Sequence, residues 1–401
     1  MAAVVGAVTG LGVAVFEWLT IERLLDSVLA LPVNIRPWAP LLGLAVAAVL
    51  LRRGGRLTPS TADDYVLGFH AHDDLDTKPL PWRMAAAVVT LGSGAPGGLE
   101  GPSIYLGASI GTMVQRRFRS VFGSSSAHTL MVAGAAAGVA AIFKAPATGA
   151  VFALEVPYRD DLGRRLLIPA LVGAASGYLS FVAVTNTKPL LSVSGDAPFD
   201  LRDLLGAAVL GVIVGIIIRL YAAGLREAKR FHRSQRPWVS VLVGGTSIAL
   251  VAIIAHAAAG ESLGLGPGYN AIEWAIEPEH SLWVVVLLLG VRLCGTIATV
   301  AGGGVVGLFV PLVVAGALIG RVAGGTIGAA NISLFVIIGV AAALGAGYRV
   351  PLAAVMFVAE ATGRPGFVVP GLLAAVGADL VMGNSAVTAY QQSGTSVNEY
   401  H

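Results

Sequence analysis

Glu100 is the single charged residue in TLGSGAPGGLEGPSIYLGASIG, residues 90–111. Before it, Gly92, Gly94 and Gly97 spell G-x-G-x-x-G, the spacing that cradles a dinucleotide pyrophosphate between a strand and a helix. That chemistry needs a βαβ unit and an acidic residue for the ribose about 20 residues further on. Here the next segment is TMVQRRFRS, and no strand-and-helix alternation surrounds it. A dinucleotide-binding membrane enzyme is therefore the remote alternative. No H-E-x-x-H or C-x-x-C motif occurs, so neither a metal site nor a cofactor is expected.

A different chemistry is written twice. Gly98-Leu99-Glu100-Gly101-Pro102 recurs 209 positions later as Gly307-Leu308-Phe309-Val310-Pro311, each a Gly-rich turn, then a Pro, then an apolar helix. Pro is tolerated in a first turn because the N–H it lacks would have had no partner there. The N–H groups of Leu99 to Gly101 and Leu308 to Val310 would point off the two helix ends and favour an anion between them. Stripping an ion of water in an apolar medium costs on the order of tens of kcal/mol, and several aimed dipoles offset this while letting the ion leave. A carboxylate beside such a site repels the anion unless it occupies the site itself. Glu100 is then a tethered competitor, a gate that opens on protonation or displacement; the alternative is a helix-capping Glu.

The elements that must position these turns are membrane helices. Of 401 residues 56% are hydrophobic and 12% charged, the mean hydropathy is +0.79, and apolar segments recur from residue 2 to residue 382. One polytopic all-α transmembrane domain over 1–401 is expected, with no room for a soluble regulatory domain and with residues 2–20 as a retained helix. The 52 glycines cut many apolar runs below the roughly 20 residues that span a bilayer, which predicts broken and tilted helices. Basic residues gather in short clusters, the longest being RLYAAGLREAKRFHRSQR from 219, and read as cytoplasmic loops, not as a nucleic-acid surface. Cys294 cannot form an intrachain disulfide and is expected in the core.

A second internal match, at a shift of 205, lays GAAAGVAAIFKAPATGAVFALE from Gly134 on GVAAALGAGYRVPLAAVMFVAE from Gly339. The chain thus reads as two halves, 1–190 and 200–390, the second inverted in the membrane, with the ligand site where equivalent helix starts meet. Glu155 and Glu360 read as caps or structural partners, and Lys144 and Arg349 as interfacial charges that could raise an anion vestibule's potential.

On these residues the chain resembles the CLC family of chloride channels and chloride/proton antiporters. GLEGPS is similar to the family's G-[KR]-E-G-P motif with Leu99 in the basic place, and GLFVP, 307–311, to its G-x-F-x-P motif. The resemblance implies that Glu100 gates and that the backbone at Leu99, Gly101, Leu308, Phe309 and Val310 coordinates the anion. It also implies a homodimer in the bilayer of the inner or plasma membrane, with one pathway per subunit and voltage gating within the family's range. The family's G-S-G-x-P segment falls on GRLTP, 55–59, which puts Arg56 in the Ser place and leaves Thr58 or Ser60 as substitutes. The family's central Tyr falls on Tyr390 or Thr388. Antiporters of the family mostly carry two consecutive Glu where this chain has Glu155 and Val156. Passive, channel-like conduction of chloride is the expectation, with chloride or fluoride/proton antiport as the alternative.

Overall fold

A computed structural model of the chain describes residues 1–71, 75–118, 128–187, 190–191, 200–277, 279–329 and 331–393. They form helices joined by turns, and among the described residues there is no strand. In chain order these are α1 Ala2–Glu17, α2 Ala39–Arg53, α3 Ala62–His70, α4 Leu80–Gly92, α5 Glu100–Arg117, α6 Thr129–Phe143, α7 Pro146–Glu155 and α8 Leu167–Val184. There follow α9 Leu201–Ser234, α10 Pro237–Ala259, α11 Tyr269–Ile276, α12 Leu282–Ala301, α13 Phe309–Thr326, α14 Ile332–Tyr348, α15 Pro351–Thr362 and α16 Val368–Met382.

Seven of the described segments are long and apolar enough to cross a bilayer, from Ala2–Leu29 to Pro365–Met382. Others are not: α7 has 10 residues and α15 has 12, about 15 and 18 Å at 1.5 Å per residue against a hydrocarbon layer of about 30 Å. The protein is an integral, multi-pass membrane protein built from broken helices.

Large apolar side chains face outward, with Ile168, Leu220 and Leu380 at 74%, 69% and 77% exposure, while Ala and Gly dominate the interior of α6 and α14. Lipid removes the reward for hiding Leu, so small residues that let backbones approach decide what packs. A Cβ on Gly107 of α5 would strike the Gly134 carbonyl of α6, and the same crossing recurs between Gly316 of α13 and Gly339 of α14.

The two matched segments also exchange caps. Lys144 and Arg349 end α6 and α14 in the left-handed conformation (φ 54° and 58°), and each is followed two residues later by the Pro that opens α7 or α15. Glu155, at the end of α7, accepts the N–H groups of Leu352 and Ala353 at the start of α15, at 3.1 and 2.9 Å. Glu360 of α15 reciprocates, accepting the N–H groups of Ala147 and Thr148 at 2.9 and 2.7 Å and the Thr148 hydroxyl at 2.7 Å. Each carboxylate sits where unpaired donors and the helix dipole favour negative charge. Lys144 donates to Asn186 at 2.6 Å and Arg349 lies 3.7 Å from Asp379, so both are engaged at the ends of their helices. Cys294 departs from expectation: it is exposed on the outer face of α12. A thiol facing lipid is as well solvated as one in the core, so apolar character alone does not locate it.

Candidate anion pathway

The two Gly-rich turns meet edge to edge. Gly98 N–H donates to the Gly307 carbonyl at 2.9 Å and Gly307 N–H returns a bond to Gly98 at 2.7 Å, pinning the start of α5 against the start of α13. Leu99 and Leu308 are the capping residues, so the helices begin at Glu100 and Phe309.

The Glu100 side chain folds back onto this junction. Its Oε1 accepts a very short hydrogen bond from the Phe309 N–H, while Oε2 is buried with no partner. Glu100 is only 2% exposed. A Cβ on Gly307 would collide with this carboxylate and stand 2.6 Å from the Gly101 nitrogen, which requires glycine there, while one on Gly98 would meet only the Glu100 side chain. Leu99, Gly101, Leu308, Phe309 and Val310 are all buried at the same junction.

Two hydroxyls join it. Tyr348, at the end of α14 and 1% exposed, accepts the Leu308 N–H at 3.3 Å. Thr61, the residue before α3, is 1% exposed with an unpartnered Oγ1, and a Cβ on Gly101 would stand 2.9 Å from that oxygen. Neither residue was singled out by sequence: Thr61 lies just past the GRLTPS stretch, and Tyr348 takes the repeat position of Phe143 and so reads as aromatic core. Phe309 is clasped by Phe143, Phe357 and Phe152, with ring centroids 4.1, 5.0 and 5.4 Å away. Phe143 and Tyr348, like Phe152 and Phe357, are mates at the 205-residue shift, so both halves wall the junction.

On the side of Leu308 a cavity of about 250 Å³ opens, lined also by Arg56, Thr58, Ser60, Lys229, His232 and Arg233. A second cavity of about 350 Å³ shares Lys229 and Arg233 and adds Arg159, Arg226, Arg230 and the 384–391 segment. Arg56 takes a left-handed backbone (φ 58°) at the cavity wall. Thr58 is exposed there and accepts a hydrogen bond from Arg83 at 3.1 Å; Arg83 is also ion-paired with Asp64. Tyr390 is not brought to the junction: it is 54% exposed and lines the second cavity. Its neighbour Gln391 is the buried one, donating at 2.9 Å to the carbonyls of both Val156 and Tyr348. Among the described residues no three His, Cys, Asp or Glu side chains cluster as metal ligands.

Residues 41–383 match the family model of the voltage gated chloride channels, most of the chain. The chain belongs to that family. Its solved structures include a slow cyanobacterial Cl⁻/H⁺ antiporter, 20% identical, with a TM-score of 0.84 over 96% of this chain and 95% of that one. A CLC-type fluoride/proton antiporter is 23% identical, with a TM-score of 0.81 over 98% and 97%. A eukaryotic CLC transporter is 18% identical, with a TM-score of 0.75 over 96% of this chain and 72% of that one. At these identities the likeness establishes a common CLC fold. Membership in the family carries the coarse function, transport of anions across a membrane.

Proposed function

We propose that the chain exchanges a small anion, chloride or fluoride, for protons, with Glu100 contacted by both. The observation that carries this is the Glu100 carboxylate itself, buried between two helix starts with one oxygen on the Phe309 N–H and the other without a partner. It stands where an anion held by the backbone of Leu99, Gly101, Leu308, Phe309 and Val310 would stand. An anion arriving there meets a like charge at low dielectric, an interaction far stronger than in water. A proton on Oε2 removes that charge and supplies a donor, so entry of the anion and uptake of the proton involve the same few atoms. Two solved structures of like fold are described as chloride/proton and fluoride/proton antiporters, which supports coupling.

One observation favours passive conduction instead. Val156 follows Glu155, is 1% exposed and has no side-chain group that could carry a proton, while both Glu155 oxygens are occupied by the α15 start. The reversal potential of protein reconstituted in liposomes separates the two. A 100 mV potential is worth about 2.3 kcal/mol per charge, so coupling displaces the reversal potential measurably when a proton gradient is imposed. A potential that tracks chloride alone selects the passive reading. For the gate, Glu100→Gln is expected to abolish the pH dependence of chloride flux; an unchanged flux and pH profile would refute the assignment.

The unit is read as a homodimer in the cell's inner or plasma membrane, with one pathway per subunit. Membership in the family supports this reading. The basic cavities then face the cytoplasm.

A further inference from the structure

A cavity of about 550 Å³ opens where α1 and α8 end, and it shares no described residue with the two basic cavities. Nearer the middle of the two helices their backbones touch: a Cβ on Gly6 or Gly10 would strike the Gly173 or Gly177 carbonyl. Beyond that crossing the exposed apolar side chains of Leu11, Val15 and Val184 line the cavity. Further along the chain come Glu17, Trp18 and Glu22, which line it too. From Trp18 to Leu25 the chain winds as a π-helix, whose i→i+5 bonding brings Glu17 and Glu22 to one side. Glu17 is half-buried, and among the described residues neither carboxylate makes a hydrogen bond or ion pair. Ionised groups in a membrane-spanning segment are costly and ordinarily paired. Two unpaired carboxylates on one cavity therefore call for a cation.

We propose that this cavity holds a phospholipid with a primary-ammonium headgroup, its ammonium between Glu17 and Glu22, its phosphate beside Arg23 and an acyl chain along Leu11, Val15 and Val184. The order along α1 and its π-helical extension, apolar, then aromatic, then charged, is the order a lipid presents from chain to headgroup, with Trp18 at the interfacial level such rings prefer. Two positive groups complete the match to a zwitterion. The Arg23 guanidinium lies over the Trp18 ring, 4.6 Å from its centroid, and Lys144 is within electrostatic reach of Glu17. An anionic headgroup would bring no cation to the carboxylates, and a quaternary ammonium would bring charge without N–H donors. Asn186 also lines the cavity and accepts from Lys144 at 2.6 Å, so the occupant touches the residue that holds the left-handed cap between α6 and α7.

The test is the melting temperature of the full chain, delipidated in detergent, with phosphatidylethanolamine, phosphatidylcholine, phosphatidylglycerol or free ethanolamine added. Phosphatidylethanolamine is expected to raise it by several degrees, phosphatidylcholine by less, and the other two not at all. Glu17→Gln with Glu22→Gln is expected to melt like wild type without lipid and to lose the excess response to phosphatidylethanolamine over phosphatidylcholine. Val184→Trp, which fills the apolar part of the cavity, is expected to lose the response to both. An equal response of wild type to phosphatidylethanolamine and phosphatidylglycerol, or an undiminished one in the Glu variant, would make the cavity ordinary lipid-facing surface and overturn the proposal. A rise with ethanolamine alone would assign a soluble amine in place of a lipid. A Glu variant that melts earlier before any lipid is added would make the carboxylates structural and equally overturn it.

Discussion

At the scale of single residues, function turns on a few atoms whose neighbours leave no slack. Gly307 lies against the Glu100 carboxylate and 2.6 Å, at its absent Cβ, from the Gly101 nitrogen. Gly307→Ala therefore forces backbone apart and is expected to destabilise the protein by about 1–3 kcal/mol, read as a lower melting temperature in detergent. Tyr348→Phe deletes the acceptor of the Leu308 N–H without opening a cavity, and leaving that buried donor unpaired costs about 1–3 kcal/mol. A melting temperature unchanged in Tyr348→Phe would show that the hydroxyl is idle. Asp63 of α3, paired with Lys229 of α9 at 2.7 Å, adds a pH signature. Its carboxyl is held below its ordinary value in the fold, so its stabilising contribution is complete above the unfolded-chain value and is lost as pH falls through the folded one. The difference in melting temperature between wild type and Asp63→Asn is thus expected to stay constant from about pH 8 to about pH 5. Glu100 was legible from sequence because a lone charge beside a Gly-rich helix start has few physical uses. Thr61 and Tyr348 were not, because whether a hydroxyl faces a helix end is decided by how α3 and α14 pack.

Helix pairs are held by the exchange of carboxylates between α7 and α15. Removing one capping carboxylate strands two N–H groups at a helix start, worth roughly 0.5–2 kcal/mol per cap. Glu155→Gln and Glu360→Gln are each expected to lower the melting temperature, Glu360→Gln the more because its carboxylate also holds the Thr148 hydroxyl. Two folded variants with wild-type melting temperatures would contradict the caps. The starts of these helices could be read from Pro146 and Pro351, and their brevity from the glycine and proline punctuation. Their partners could not: Glu155 and its donors are 197 and 198 residues apart. The exposed Cys294 fails for a related reason, since within lipid a helix's outer face is as apolar as its inner one.

For the whole molecule, the repeat at 209 and 205 residues could be read from a few punctuating residues, the Gly and Pro of each helix start and the Phe and Glu that follow at matching positions. The meeting of Arg56 and Arg159 with Arg226, Lys229, Arg230 and Arg233 around two adjoining cavities was not: the last four share the end of α9, but the first two come from distant turns that only the fold brings beside it. In sequence the four read as a basic loop, whereas the structure continues α9 through them to Ser234. Brought together behind a low-dielectric wall, they form a field that concentrates anions at the inner mouth and speeds their arrival. Such a field is screened: the Debye length falls from about 10 Å at 0.1 M to about 3 Å at 1 M salt. Arg56→Gln with Arg226→Gln removes two of the six charges without touching the Glu100 junction. Chloride flux is expected to fall several-fold at low ionic strength and to approach wild type near 1 M. A deficit that persists at high salt would mean that these side chains hold the fold or bind the anion directly, and not that they attract it from a distance.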